Sequence, residues 1–267
     1  GPVALSATDG GLPSVLAVAT TEPNTLTLVD DNLQLLKVMN VADKAGQKPS
    51  PVAMLRTAPK RHSFVASLRD VPELWEISYN PTAPEIAVGM VHDFQYREGS
   101  FVPGYLNPQR IALPTPALDF YLTNEGHEVL TAHRDADANP DTKRVAVRAN
   151  LQVTDLDVRQ KVAQFSLPGW PVLGGSAAWR TNGQERLAVA NEELGLVSVI
   201  DPKRWAVLGH LHTDDPVRSV HNPANASWLR LEAHAQVGKT PAVLWMHKTT
   251  LEVLEHPSGT DACTPPK

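Results

Sequence analysis

The side chains with most chemical reach in this chain are its histidines and one arginine. His92 is followed by Asp93, and Arg218 stands three positions before His221. An imidazole titrates near neutrality, so His92 can pass a proton or a hydrogen bond to a bound anion. A guanidinium such as that of Arg218 can clamp a carboxylate through two parallel bonds. Each also has a plainer role open to it: His92 bonded to Asp93 or to backbone, Arg218 and His221 bonded between neighbouring sheets. His127 and His133, with Asp135 and Asp137, fit no zinc spacing and read as a solvated loop beside a strand. His210 and His212 alternate, which puts both imidazoles on one strand face as a partial copper or zinc site. A surface strand end explains that pair as well, and no metal site is assigned.

Several other chemistries find no support. There is no GxSxG, P-loop or dinucleotide fingerprint, and Gly174-Gly175-Ser176 lacks the following glycine and the strand-turn-helix setting. Cys263 is the one cysteine, in a polar, Pro-rich tail, so neither an intramolecular disulfide nor a CxxCH attachment site for c-type haem is present. The net charge of -5 is dispersed, with no basic run to neutralise a phosphate backbone, which argues against nucleic acid as a partner. No apolar stretch reaches the roughly 18 to 20 residues that span a bilayer, and no signal-peptide pattern opens the chain.

The elements that must position these residues are strands. With 42% hydrophobic residues the chain can bury a substantial core. Short β-prone runs such as Val15–Ala19, Leu26–Val29 and Leu196–Ile200 are bounded by Pro, Asn, Asp or Gly, and no long segment has a 3.6-residue period. A phrase recurs in which a strand ends at a polar residue, turns, and gives way to a second strand. It runs from Leu28-Val29-Asp30 to Leu35–Val38, from Val153-Thr154-Asp155 to Lys161–Ala163, and from Val199-Ile200-Asp201 to Trp205–Leu208. A fourth copy runs from Leu244-Trp245-Met246 to Leu251–Leu254, and a degenerate one from Trp75-Glu76-Ile77 to Glu85–Val88.

Aligned at Asp155, Asp201 and His247, the unit recurs every 46 residues, close to the ~40 to 50 of propeller blades. The expected fold is therefore all-β: a β-propeller of about five four-stranded blades over residues 1–257, followed by a polar tail at 258–267. The rhythm stretches between Asp93 and Pro116, and residues 93–116 are expected to form an insertion between blades. Tryptophans 75, 179, 205, 228 and 245 fall where rings fill space between twisted sheets, whereas Trp170 lies in a loop and could stack on a flat ligand.

The segment Arg61–Gln95, with its spacing from the Phe64 strand through Trp75-Glu76-Ile77 to His92-Asp93, resembles the d1 (haem-binding) domain of cytochrome cd1 nitrite reductases. Ser14–Met39, Leu167-Pro168-Gly169-Trp170-Pro171 to Trp179, and Arg218-Ser219-Val220-His221-Asn222-Pro223 are similar to further parts of it, so the resemblance covers roughly residues 12 to 235 in order. It implies that His92 takes the place of an active-site histidine above the haem and that His221 matches another family histidine. The family's second active-site histidine falls where this chain has Pro171-Val172-Leu173-Gly174, so Val172 removes a proton donor. The part of the family that provides the axial iron ligand precedes the matched region.

By resemblance, the first reading is a periplasmic propeller that binds haem d1 or a related tetrapyrrole or acts in haem d1 metabolism. His92, His221, Arg218 and Trp170 would line the cofactor, with His92 as the catalytic candidate. A second reading is a noncatalytic propeller for protein-protein interaction, and a third a nitrite reductase-like enzyme with an altered distal site. The family has eight blades. The resemblance thus implies a fragment, a shortened propeller, or a ring that a second protein chain or a second copy completes.

Overall fold

The computed structural model describes residues 2–7, 14–93, 98–134, 148–191, 193–233 and 243–255. Among them the only helical element is a single 3-10 turn, Pro59–Arg61; the rest is strand and turn. None forms a helix long and apolar enough to cross a membrane.

Five four-stranded antiparallel sheets follow one another along the chain, each a propeller blade as expected. The first takes β1 (Pro2–Ala7), β2 (Val15–Thr21), β3 (Asn24–Asp30) and β4 (Leu35–Asn40) in sequence order. The second takes β5 (Val52–Ala58), β6 (Ser63–Leu68) and β7 (Glu73–Ser78); after a two-stranded hairpin, β8 (Ile86–Asp93) and β9 (Glu98–Val102), it is completed by β10 (Pro108–Ala112). The third is β11 (Phe120–Leu122), β12 (Glu128–Arg134), β13 (Arg148–Asp155) and β14 (Gln160–Pro168). The fourth is β15 (Pro171–Thr181), β16 (Gln184–Asn191), β17 (Leu196–Asp201) and β18 (Ala206–His212). The fifth is β19 (Val217–His221), β20 (Trp228–Ala233), β21 (Val243–His247) and β22 (Val253–Glu255). The chain divides into two compact units, residues 1–129 with 155–160, and residues 130–154 with 161–267.

The repeated phrase has a physical basis in its polar residue. Asp30 Oδ1 accepts the amides of Asn32 at 2.9 Å and Gln34 at 2.7 Å, and Asp155 Oδ1 accepts those of Asp157 at 2.8 Å and Val158 at 3.0 Å. Asp201 Oδ1 accepts the amide of Lys203 at 3.0 Å. Each carboxylate thereby caps the turn that sends the chain into the outer strand. In the fifth blade an imidazole does the same work, His247 Nδ1 accepting the Thr250 amide at 3.1 Å.

Burial follows position in the blade. Every residue of β6 is buried, as are the first five of β17, because these inner strands have a neighbour on both faces. The outer strands β4 and β18 are mostly exposed. In the first unit Val15, Ala17, Ala19, Leu26 and Leu28 pack onto Phe64, Ala66, Trp75 and Ile77, joining the first blade to the second. In the second unit Ala188, Ala190, Val197 and Val199 pack onto Leu229, Leu231, Leu244 and Met246, joining the fourth to the fifth.

The stretched segment differs from its expected place. Residues 108–112 are the outer strand of the second blade, paired with β7 in the register Arg110↔Trp75, so the extra chain lies within that blade and not between blades. The Glu85–Val88 run, expected as the strand after Trp75-Glu76-Ile77, instead opens the inserted hairpin. Two features explain this. β7 ends at Ser78 and not at an aspartate, and Arg110 fastens β10 in place: its guanidinium lies 4.5 Å above the Trp75 ring and bonds Glu73 at 2.9 Å. The roots of the insertion are pressed together, since a Cβ on Gly104 would fall 2.0 Å from the Pro84 carbonyl oxygen. The tail at 258–267 and Cys263 lie outside the described residues.

Gly104→Ala is expected to destabilise the chain by about 1–3 kcal/mol through that backbone collision, lowering the thermal midpoint by several degrees. Gly209→Ala, whose Cβ meets nothing within 4 Å, is the matched control and should leave the midpoint in place. Equal midpoints for the two variants would show that the hairpin roots are not held together as described.

Candidate functional site

The second unit gathers Arg218 and His221 around a carboxylate that neither spacing nor motif had singled out. β19 and β20 pair with Ser219 opposite Glu232 and His221 opposite Arg230, and the register slips between Val217 and Ser219. Val217 and Val220 go to the core, leaving Arg218, Ser219 and His221 for the polar face. On β20 the apolar Leu229, Leu231 and Ala233 alternate with Trp228, Arg230 and Glu232. Glu232 is where these groups converge: Arg218 Nη2 lies 3.3 Å and Arg230 Nη2 3.1 Å from its carboxylate oxygens, His221 Nε2 3.5 Å, and the Ser219 hydroxyl donates to it at 3.2 Å. Burial by itself raises the Glu232 pKa, but His221, Arg218, Ser219 and Arg230 together outweigh it and hold the carboxyl below its usual value. Arg230 Nε is buried without an acceptor, and Arg218 is nearly half exposed, so the cluster keeps unused donor capacity.

The first strand of the preceding blade runs against this face. A Cβ on Gly175 would lie 2.7 Å from the Arg218 carbonyl oxygen, so only glycine lets β15 approach β19 this closely. β15 bulges between Val172 and Ala177, and the Ser176 hydroxyl donates to the Val172 carbonyl at 3.1 Å. Val172 itself packs on the core shared by the fourth and fifth blades and offers no titratable group. Trp170, half-buried, precedes β15 and follows Gly169, whose φ of +64° and contact with Asn191 demand glycine.

His92 lies on β8, in the first unit, and its side chain is outside the described residues. His127 and His133 do not share a site. His127 Nδ1 is 2.8 Å from Asp157, whose other oxygen takes Arg61 at 2.5 Å. Arg61 is further bound to Glu76 at 2.8 Å, so these groups form one structural chain of charge. His133 is buried on β12, 2.7 Å from the Thr131 hydroxyl. Asp135 and Asp137 lie outside the described residues. His210 Nδ1 is 3.0 Å from Ser198 Oγ, and among the described residues no group of three or more His, Cys, Asp or Glu could hold a metal.

A family model described as Cytochrome D1 heme domain matches residues 4–256. The chain belongs to that family. The Pseudomonas aeruginosa dihydro-heme d1 dehydrogenase is 30% identical over 233 residues, 86% of this chain and 40% of that protein. A solved structure of dihydro-heme d1 dehydrogenase NirN in complex with DHE is 28% identical with a TM-score of 0.74, and the match covers 96% of this chain and 48% of that one. This Cytochrome D1 heme domain chain thus spans less than half the length of these relatives. The Cps50 (Swd1) β-propeller domain of Myceliophteria thermophila, at 14% identity and a TM-score of 0.56, covers 96% of this chain and 73% of its own, and shares the fold alone. The resemblance read from Arg61–Gln95 and its neighbours is therefore borne out.

Burial pushes the His133 pKa from 6.5 to about 4. The folded chain then binds fewer protons there than the unfolded chain. Stability is unaffected above the ordinary imidazole pKa, falls as pH drops from 6.5, and stops falling near 4, a total of roughly 3 kcal/mol. Denaturant melts from pH 7 to 4 should show this loss reduced by about that amount in His133→Gln; an identical acid limb in both proteins would remove His133 as its cause.

Proposed function

We propose that this d1-type chain binds a tetrapyrrole, haem d1 or a precursor of it, and acts in haem d1 metabolism. The observation that carries the reading is the Glu232 cluster: two guanidiniums, an imidazole and a hydroxyl share one carboxylate, so a second anion would complete its charge. The side-chain carboxylates and carbonyls of a tetrapyrrole are acceptors of that kind, and the donor set fits them. Arg218, half exposed and held by Glu232 on one side, would clamp a carboxylate; His221 would donate a second bond. Trp170 offers a flat face for stacking, and by the family resemblance His92 is the candidate proton donor. When bound, the group would supply the redox centre; Arg218, His221 and Trp170 would orient it and neutralise its carboxylates. No described residue is assigned to the iron.

The names of the relatives support the same reading, one being a dihydro-heme d1 dehydrogenase and another that enzyme in complex with DHE. A location in the periplasm and a ring of further blades, from a second chain or a second copy, belong to the same proposal. Nitrite reduction with an altered distal site is the weaker alternative, since Val172 faces the core and supplies no proton. A noncatalytic interaction propeller draws support from one feature, the run Leu33, Leu35, Leu36 and Val38 exposed at and before the outer strand β4.

Titrating the apo protein with haem d1 and with dihydro-haem d1 should give a saturable shift of the Soret band. Arg218→Ala should weaken binding about tenfold and Arg218→Glu further, as expected for a clamp on a carboxylate. His92→Ala should alter the spectrum of the bound form. A spectrum left unperturbed by either ligand would overturn the proposal in favour of the interaction propeller.

A further inference from the structure

A cavity of about 250 Å³, with none of the Glu232 cluster among its lining residues, opens in the second unit between the fourth blade and the turn that follows β21. Its walls are apolar where Trp179, Val199, Leu211 and Leu251 contribute, and these side chains belong to or pack against the core of the unit. Its polar groups are cationic or neutral. Arg186, His210 and Lys248 line it, and no aspartate or glutamate is among its described lining residues.

Lys248 is held by a neutral acceptor alone, whereas Arg186 also meets one carboxylate, Asp201, which does not line the cavity. Lys248 Nζ donates to the Ala226 carbonyl, a neutral acceptor, and burial lowers its pKa. Arg186 donates to the Glu185 carbonyl at 3.0 Å and to the Gln184 side-chain oxygen, and Asp201 reaches it only at 3.9 Å. His210 Nδ1 is engaged by Ser198, which leaves its other ring nitrogen. The indole Nε1 of Trp179 donates to the Lys248 carbonyl at 3.0 Å, so the ring that forms one wall is tied to the segment that carries the ammonium.

The floor of the cavity is kept open by backbone. β17 and β18 change register between Val199 and Ile200, which displaces Leu208, and the next residue is Gly209, opposite Val199. A Cβ on Gly209 would meet nothing within 4 Å. Leu208 is half exposed, so the cavity communicates with solvent at that edge.

An apolar hollow rimmed by cations and free of lining carboxylates selects one chemistry. We propose that it binds a small organic monocarboxylate with an aromatic or branched apolar body, the body against Trp179 and the leucines, the carboxylate between Lys248 and Arg186. The volume lies just below the range of about 300–1,000 Å³ typical of ligand pockets, which limits the ligand to one ring or its aliphatic equivalent. Charge complementarity chooses the acid over the neutral analogue, since a carboxylate restores charge balance to an ammonium that has only a carbonyl to bond. This site is separate from the tetrapyrrole reading and does not depend on it.

The test is calorimetric titration of the full chain with 3-phenylpropionate and, in parallel, with 3-phenylpropionamide. The acid is expected to bind with sub-millimolar affinity and the amide at least about tenfold more weakly. Gly209→Leu fills the hollow from a position where a Cβ has open space around it, and should abolish binding while leaving the thermal midpoint unchanged or raised. Lys248→Gln should weaken the acid about tenfold and leave the amide as it was. Absence of binding by the acid, equal binding of acid and amide, or undiminished binding to a folded Gly209→Leu variant would each overturn the proposal.

Discussion

A blade cannot bury its own faces, and the rest of this structure depends on that constraint. A four-stranded sheet has two surfaces and no interior, so its inner strands become dry only when another sheet lies against each side. β6 is the clearest case: six consecutive residues, polar serines included, are all buried. Of its polar members, Ser63 finds a partner by donating to Glu76 at 2.9 Å, itself held by Arg61, whereas the Ser67 hydroxyl is buried without one. Close approach of neighbouring first strands has a backbone cost as well, met by glycine at position 175 where β15 runs against Arg218 and Ser219.

The two units solve the problem of charge on such sheets in opposite ways. In the first, one guanidinium, Arg61, is shared by the carboxylates of Glu76 and Asp157, and Arg61 and His127 hold the Asp157 pKa down. That arrangement is nearly balanced and has the look of a strut between turns. In the second, a single carboxylate, Glu232, is shared by Arg218, Arg230 and His221. The same kinds of side chain therefore give a nearly balanced network in one place and a cation-rich one in the other, and the difference lies in which sign is in the minority.

The repeat was legible because it is local. A carboxylate that caps its own turn needs only residues two to four positions away, so Asp30, Asp155 and Asp201 announce the turn in the linear text, and His247 substitutes for them by the same geometry. Where the capping group is the hydroxyl of Ser78, accepting the Asn80 amide at 3.1 Å, and not a carboxylate, local reading fails. The strand that completes the second blade comes from residues 108–112, and its anchor, Arg110 on Trp75, is a contact between segments thirty-odd residues apart that no turn signal encodes.

The sequence by itself determined the fold class, the blade rhythm and the family, along with the pairing of Arg218 and His221 on one strand, because alternation, turn chemistry and spacing are properties of short segments. Only the tertiary structure decided that Glu232 and Arg230 join them, that the insertion belongs inside a blade, and that Arg186, His210 and Lys248 surround one hollow. The alternation of Trp228, Arg230 and Glu232 with apolar residues was visible as a strand with a polar face. What that face would meet was not visible, since cross-strand partners are set by register. Register here is shifted by bulges at Val217/Ser219, Val172/Ala177 and Val199/Ile200, and a one-residue slip exchanges every partner.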